Sequence, residues 1–125
     1  MKRTVWLWTL VFVFVACEDI VEEPDISNQQ VEILAPTNGT VVTDSLIQFS
    51  WGGIVDSDGY VLQVARPNFE EAAQFVVDTT MIIDSTFVGT RLRTKLSNDA
   101  YEWRVKAFNS GFETGYSSSE FQVNR

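Results

Sequence analysis

Apolar and polar residues alternate with a period of two along most of the chain after residue 30. Ile47, Phe49 and Trp51 alternate with Gln48 and Ser50. Successive side chains of a β-strand point to opposite faces, so this pattern predicts a strand with one buried and one solvated face. Related patterns predict further strands at 30–33, 60–65, 75–79, within 81–92, at 100–108 and at 119–123.

The strand at 100–108 has the clearest pattern. Tyr101, Trp103, Val105 and Ala107 fall on one face, while charged residues fall on the other. Turn-forming residues separate the strands, and no segment has a helical period. Residues 30–125 are therefore predicted to form an all-β domain, a two-sheet sandwich of about seven strands.

The start of the chain has a different pattern. Lys2 and Arg3 are followed by an apolar run at 5–16 that contains threonine but no charge. A helix that spans a bilayer needs roughly 20 apolar residues, so this run is short for a permanent membrane span. A basic start followed by a short apolar run is typical of an export signal, and we predict a cleaved signal peptide at 1–16.

Phe14-Val15-Ala16-Cys17 contains the chain's one cysteine and resembles the lipobox of bacterial lipoproteins. The resemblance implies that Cys17 is lipidated, with palmitate among its acyl chains, and becomes the mature N-terminus. The alternative is a signal peptide that ends near a free cysteine. Residues 17–29 are acidic and contain Pro24, so we predict a flexible tether.

An acidic cluster behind a lipidated cysteine also resembles the signal that displays lipoproteins of Bacteroidetes-type bacteria on the cell surface. Residues 18–25 form such a cluster. The resemblance implies an anchor in the outer membrane and a domain that faces outward. A domain that faces the periplasm is the alternative.

Several residues of the strand region resemble the pattern of fibronectin type III domains, which are immunoglobulin-like sandwiches. Trp51 ends the second predicted strand, Tyr60 begins the third, and Leu96 lies five residues before Tyr101, with Trp103 next on the same face. The resemblance implies that these five residues are structural core. It also implies that the Tyr101 hydroxyl caps a backbone group, as in a tyrosine corner.

Charge and composition exclude several classes of function. The chain has 17 acidic and 9 basic residues, a net charge of −8, and cleavage after residue 16 would make it more acidic by removing Lys2 and Arg3. Nucleic acid is therefore an unsuitable partner. There is no histidine, and Cys17 is assigned to lipid, so we expect no enzyme activity and no cofactor.

The segment Asp56-Ser57-Asp58-Gly59 is the one candidate for a metal site. Alternate aspartates begin a calcium loop, but such a loop needs glycine at its sixth position and glutamate at its twelfth. Val61 and Pro67 stand there instead. Asp-Gly before a strand is a turn signal, so we predict a turn and no metal.

Two sets of residues are candidates for contact with a partner. Phe112 and Tyr116 lie in the loop before the last strand, where they either stack on a ligand such as a sugar or pack against the sheet. Arg91, Arg93 and Lys95 alternate along one strand face, where they either contact a partner electrostatically or protect an edge strand.

These observations predict a non-catalytic lipoprotein that acts as an interaction or adhesion module of the cell envelope, with a protein or a glycan as its partner. The alternative is a carbohydrate-binding accessory lipoprotein of a polysaccharide-uptake system. The chain resembles the starch-binding lipoproteins of such systems in its Tyr101-Glu102-Trp103-Arg104-Val105 segment.

Overall fold

The computed structural model describes residues 23–84 and 89–125, and within these ranges all regular secondary structure is β-strand. The predicted signal peptide, Cys17 and the first part of the predicted tether lie outside the described residues. The strands in chain order are β1 (Ile33–Ala35), β2 (Thr40–Val42), β3 (Leu46–Trp51), β4 (Gly59–Ala65), β5 (Phe75–Ile82), β6 (Arg91–Lys95), β7 (Asp99–Phe108) and β8 (Ser117–Val123).

The strands form two sheets that pack face to face. One sheet has the order β1-β3-β6 and the other β2-β8-β7-β4-β5. Phe49 of the first sheet lies 4.9 Å from Trp103 of the second, measured between ring centroids, and Trp51 lies 5.4 Å from Tyr60. Burial of these large rings between the sheets is the main driving force for the fold. The predicted two-sheet β-sandwich is confirmed.

The strand faces follow the alternation of the sequence. Residues 47, 49 and 51 of β3 and residues 101, 103, 105 and 107 of β7 are buried, while their neighbours are partly or fully exposed. The Tyr101 hydroxyl donates a hydrogen bond to the carbonyl of Ser97 at 2.7 Å, and Leu96 is buried beside this corner. Trp103 Nε1 donates to the carbonyl of Pro36 at 3.0 Å. The polar groups of these two buried rings thus both have backbone partners.

The prediction of seven strands missed β2. After β1 the chain turns at 36–39 and crosses to the other sheet, where β2 runs parallel to β8. Gly39 has a φ of 83°, a left-handed conformation that glycine adopts without steric cost. The chain after the first predicted strand therefore adds a short strand to the other sheet. A segment of three residues is too short for its alternation to be recognised in the sequence.

Residues 23–29, the described part of the predicted flexible tether, are partly packed against the domain. Ile26 is completely buried and belongs to the hydrophobic core. The Ser27 hydroxyl and N–H both donate to the Asp25 carboxylate, which lowers the pKa of Asp25, and the N–H of Gln29 donates to the carbonyl of Ile26. This turn directs Ile26 inward. An isolated apolar residue among acidic and polar neighbours has no periodicity that would reveal its burial.

Candidate interaction surface

The outward side chains of β7 form a row across the centre of the five-stranded sheet. Glu102, Arg104, Lys106 and Phe108 alternate with the buried residues of the strand and are all partly exposed. Since β7 lies between β4 and β8, residues from both neighbours can reach this row. This row, together with the side chains of neighbouring segments that contact it and the groove beside Lys106, forms the surface that we call the β7 face.

Arg104 is held by polar contacts on one side. Its Nε donates to Oε1 of Gln63 at 2.8 Å, and Nε2 of Gln63 donates to Oδ1 of Asp78 at 3.1 Å. These three residues lie on β7, β4 and β5, so the chain of hydrogen bonds crosses three strands. It fixes the plane of the guanidinium group relative to the sheet.

Aromatic rings hold the same guanidinium group. Its central carbon lies 4.0 Å from the ring centroid of Phe69, 4.3 Å from that of Tyr116 and 5.6 Å from that of Phe75. Phe69 is positioned through its backbone N–H, which donates to Oε1 of Glu102 at 2.9 Å. The distances are those of cation–π contacts, each worth about 0.5–2 kcal/mol depending on desolvation. Arg104 is therefore a fixed cation within an aromatic frame.

Lys106 continues the cationic row toward the loop between β7 and β8. Its Nζ lies 2.9 Å from Oε1 of Glu113 and 4.9 Å from the ring centroid of Tyr116. The Lys106 side chain is 19% exposed, whereas that of Glu113 is 59% exposed. Tyr116 is thus shared by two cations, and the ion pair fixes the end of Lys106 beside the loop.

An open groove adjoins Lys106 at this end of the sandwich. It is lined by apolar side chains of three segments, Val61, Phe108 and Phe112, together with Lys106, Glu113 and Ser27. Phe112 is 37% exposed. The groove thus presents rings beside a paired cation and carboxylate, a combination suited to a ligand with both apolar and hydrogen-bonding faces.

Asn109 holds the loop that carries Phe112. Its Oδ1 accepts hydrogen bonds from the N–H groups of Gly111 and Phe112, at 3.0 and 2.8 Å. Its Nδ2 donates to the carbonyls of Pro24 at 2.8 Å and Asp56 at 3.2 Å. Asn109 is itself buried. One amide therefore joins the N-terminal segment, the loop before β4 and the loop before β8.

The two sets of contact residues predicted from the sequence lie on different sheets. Phe112 and Tyr116 both adjoin Lys106: Phe112 shares the groove with it, and the ring centroid of Tyr116 lies 4.9 Å from its Nζ. Arg91, Arg93 and Lys95 are exposed on β6, at the edge of the three-stranded sheet. There Nε of Arg93 donates to Oε1 of Gln48 at 3.0 Å. The basic strand and the aromatic loop therefore do not form one site.

The contact residues predicted from the sequence did not include Arg104, Lys106, Phe69 or Phe75. The outward position of Arg104 and Lys106 on a central strand was the available signal. Nothing in the sequence showed that the rings would meet Arg104, because Phe69 and Phe75 follow β4 and Tyr116 precedes β8. The pairing of β4 and β8 with β7 brings them together.

The structure also locates the segment that was considered for calcium. Asp56 has a φ of 73°, and the Ser57 hydroxyl donates to the carbonyl of Ile54 at 2.7 Å, as in a tight turn. Within residues 23–84 and 89–125, no three potential ligands among His, Cys, Asp and Glu lie close enough together to bind a metal ion. Over the same residues, no helix is long and apolar enough to cross a membrane.

Comparisons with known proteins agree with the fold. The chain is similar to the structure of fibronectin(III)-like modules of CbhA from Clostridium thermocellum, with a TM-score of 0.53 and 11% identity over 76% of this chain and 96% of that one. It is also similar to a structure from the computer-based redesign of a β-sandwich protein, with a TM-score of 0.50 and 18% identity over 76% of this chain and 90% of that one.

No protein-family model and no curated protein matches the chain. At these identities, the structural similarity defines the fold and not the function. The domain has a fibronectin type III-like, immunoglobulin-like β-sandwich fold.

Proposed function

We propose that the protein is a non-catalytic, lipid-anchored interaction module of a bacterial outer membrane, which contacts a protein or glycan partner through its β7 face. The fold is one that proteins commonly use for binding. Lipid on Cys17 supplies the anchor, and the acidic residues behind it direct the domain to the outer surface of the cell.

The β7 face is the observation that supports this proposal most directly. Arg104 and Lys106 are cations on the central strand of the five-stranded sheet in a strongly acidic protein; three rings contact Arg104, and one of them, Tyr116, also contacts Lys106. Neither cation is buried, so the cluster is not simply part of the core. Fixed cations beside partly exposed rings are common at interfaces, where they lose little side-chain entropy on binding.

The anchor is tested by mass spectrometry of the mature N-terminus and by protease treatment of intact cells. We expect an acylated Cys17 in the wild-type chain, no acylation in Cys17→Ala, and removal of the wild-type domain by external protease. An unmodified or uncleaved N-terminus in the wild-type chain would exclude the anchor. Resistance to external protease, together with acylation, would instead place the domain on the periplasmic side.

The contact surface is tested with a photo-crosslinking amino acid, benzoyl-phenylalanine, in place of Phe112 in the full chain on intact cells. We expect a crosslinked product that weakens when Arg104→Ala or Lys106→Ala is added. The same probe in place of Gln48, which is exposed on the other sheet, is the control. Digestion of the product with protease or glycosidase identifies the class of partner. If Phe112 gives no more product than Gln48, the β7 face is not the contact surface.

The groove beside Lys106 supports a second candidate, the carbohydrate-binding accessory lipoprotein. Phe112 presents an exposed ring close to Lys106 and Glu113, and such a ring stacks on sugar faces. Affinity electrophoresis in gels that contain starch or xylan tests this candidate. Phe112→Ala is expected to weaken retardation about tenfold, while Leu34→Ala, at an exposed position on β1 of the other sheet, is expected to have no effect. Equal retardation with and without polysaccharide would exclude it.

A further inference from the structure

The four edges of the two sheets differ in how they are protected from pairing with another strand. β1 and β2 are three residues long, and β6 carries Arg91, Arg93 and Lys95. Short strands and cations are common means of blocking edge-to-edge association. β5 has eight residues with a single charge, on Asp78, and β4 is its only neighbour among the described strands. β5 is therefore the one edge of the described sheets that is neither short nor lined by cations, and its ladder with β4 is irregular only near its start, between Phe75 and Val77.

Large apolar side chains are exposed at both ends of β5. Phe75 and Val76 at its start are each 38% exposed, and Ile82 and Ile83 at its end are 50% and 40% exposed. The middle of the strand, around Thr79, is polar. If two copies of β5 pair antiparallel with Thr79 opposite Thr79, the start of each strand lies beside the end of the other. Val76 of each copy then lies opposite Ile82 of the other, while Phe75 lies beyond a shift in the ladder of β5 with β4.

The backbone hydrogen bonds favour the same alignment. The N–H of Ile83 donates to the carbonyl of Asp58 at 2.9 Å, on the β4 side. Alternate residues of an antiparallel strand direct their backbone groups to the same neighbour, so Thr79 also faces β4, while Asp78 and Thr80 direct their N–H and C=O groups to the open edge. With Thr79 on the two-fold axis, Asp78 of one copy forms a hydrogen-bonded pair with Thr80 of the other.

The neighbouring alignments in which the outward side chains of both copies stay on the same side of the joined sheet are less favourable. Moving the axis to Asp78 places two carboxylates opposite each other, which is destabilising. Moving it to Thr80 places Asp78 opposite Ile82 and Val76 opposite Asp84. The alignment on Thr79 avoids both problems.

We propose that β5 binds the β5 strand of a second copy of this chain, antiparallel and centred on Thr79, so that the two five-stranded sheets become one continuous sheet. The axis is perpendicular to the sheet, so the β7 faces of both copies lie on the same side. Self-association does not depend on what the β7 face binds.

The alignment is tested by oxidative crosslinking of single-cysteine substitutions in the full chain on intact cells. Residues opposite each other at a non-hydrogen-bonded position lie about 4.5 Å apart between Cα atoms, within disulfide range. We expect Thr79→Cys to give more disulfide-linked dimer than Asp78→Cys, Thr80→Cys or the control Gln48→Cys, all of which retain Cys17. A maximum at residue 78 or 80, or no excess over Gln48→Cys, would refute the proposal.

A charge exchange tests the pairing independently of disulfide chemistry. In the proposed dimer Val76 lies opposite Ile82 of the other copy, so Val76→Lys with Ile82→Lys places like charges together twice. We expect self-association to weaken about tenfold, which is ~1.4 kcal/mol. Val76→Lys with Ile82→Glu pairs opposite charges and should associate within about threefold of the wild type.

The mass of the full chain in a non-ionic detergent, measured by sedimentation equilibrium, gives the extent of association. Circular dichroism confirms that each variant is folded. The control is Leu34→Lys with Val41→Lys, which replaces exposed apolar residues on β1 and β2 and should associate as the wild type does. The measurement is repeated over a series of protein concentrations. The proposal would be overturned if the wild-type chain is monomeric throughout this series, or if the Lys/Lys and Lys/Glu pairs have equal effects.

Discussion

Replacement of Ile26 by alanine tests whether the packed domain includes the segment before residue 30. Ile26 has no exposed surface and lies within the core cluster. Replacing a fully buried isoleucine by alanine costs about 2–5 kcal/mol, from the lost transfer free energy and the cavity that remains. Ile26 lies near the start of the described residues, where neighbouring backbone can move into the space. We therefore expect a loss of about 2–3 kcal/mol in the free energy of unfolding.

The assay is urea denaturation of the full chain, followed by the fluorescence of its tryptophans. With a slope of about 2 kcal/mol per molar urea, this loss lowers the midpoint by roughly 1–1.5 M. Val41→Ala is the matched control, because Val41 is 52% exposed, and its effect should stay within about 0.5 kcal/mol. The slope itself should not change, since both variants expose nearly the same surface on unfolding.

An effect of Ile26→Ala that equals that of Val41→Ala would refute the reasoning. Residues up to 29 would then behave as tether in solution, as the sequence analysis predicts. A loss of stability within the expected range would instead show that the part of the chain that unfolds cooperatively includes Ile26.

Two further predictions concern side chains that hold loops and corners together. Asn109→Asp keeps the acceptor oxygen for Gly111 and Phe112 but replaces the donor to Pro24 and Asp56 by a buried carboxylate. We expect a loss of about 2–4 kcal/mol in the free energy of unfolding, measured by urea denaturation. Protease cleavage near residue 24 should also become faster. Unchanged cleavage would mean that the amide does not hold the N-terminal segment. Tyr101→Phe removes the hydrogen bond to the Ser97 carbonyl. We expect the free energy of unfolding to fall by about 1–2 kcal/mol, with no change in its dependence on urea concentration. An unchanged free energy of unfolding would show that water replaces the hydroxyl.

The sequence was sufficient to predict which faces of β3 and β7 point into the core. Side chains alternate between the faces of a strand, so the positions of apolar residues determined the inward faces of β3 and β7 before any pairing was known. The resemblance to fibronectin type III domains was also sufficient for the corner at Leu96 and Tyr101, since both ends of that corner lie within one short segment.

The tertiary structure alone decided which residues share a site. Phe69, Phe75 and Tyr116 meet at Arg104 because β4 and β8 both pair with β7, and strand pairing between distant segments leaves no local signal in the sequence. Burial of Ile26 and the crossing of the chain to β2 depend in the same way on space that other segments provide. Alternation records which face of a strand is buried, whereas the identity of its neighbours depends on contacts between residues far apart in the chain.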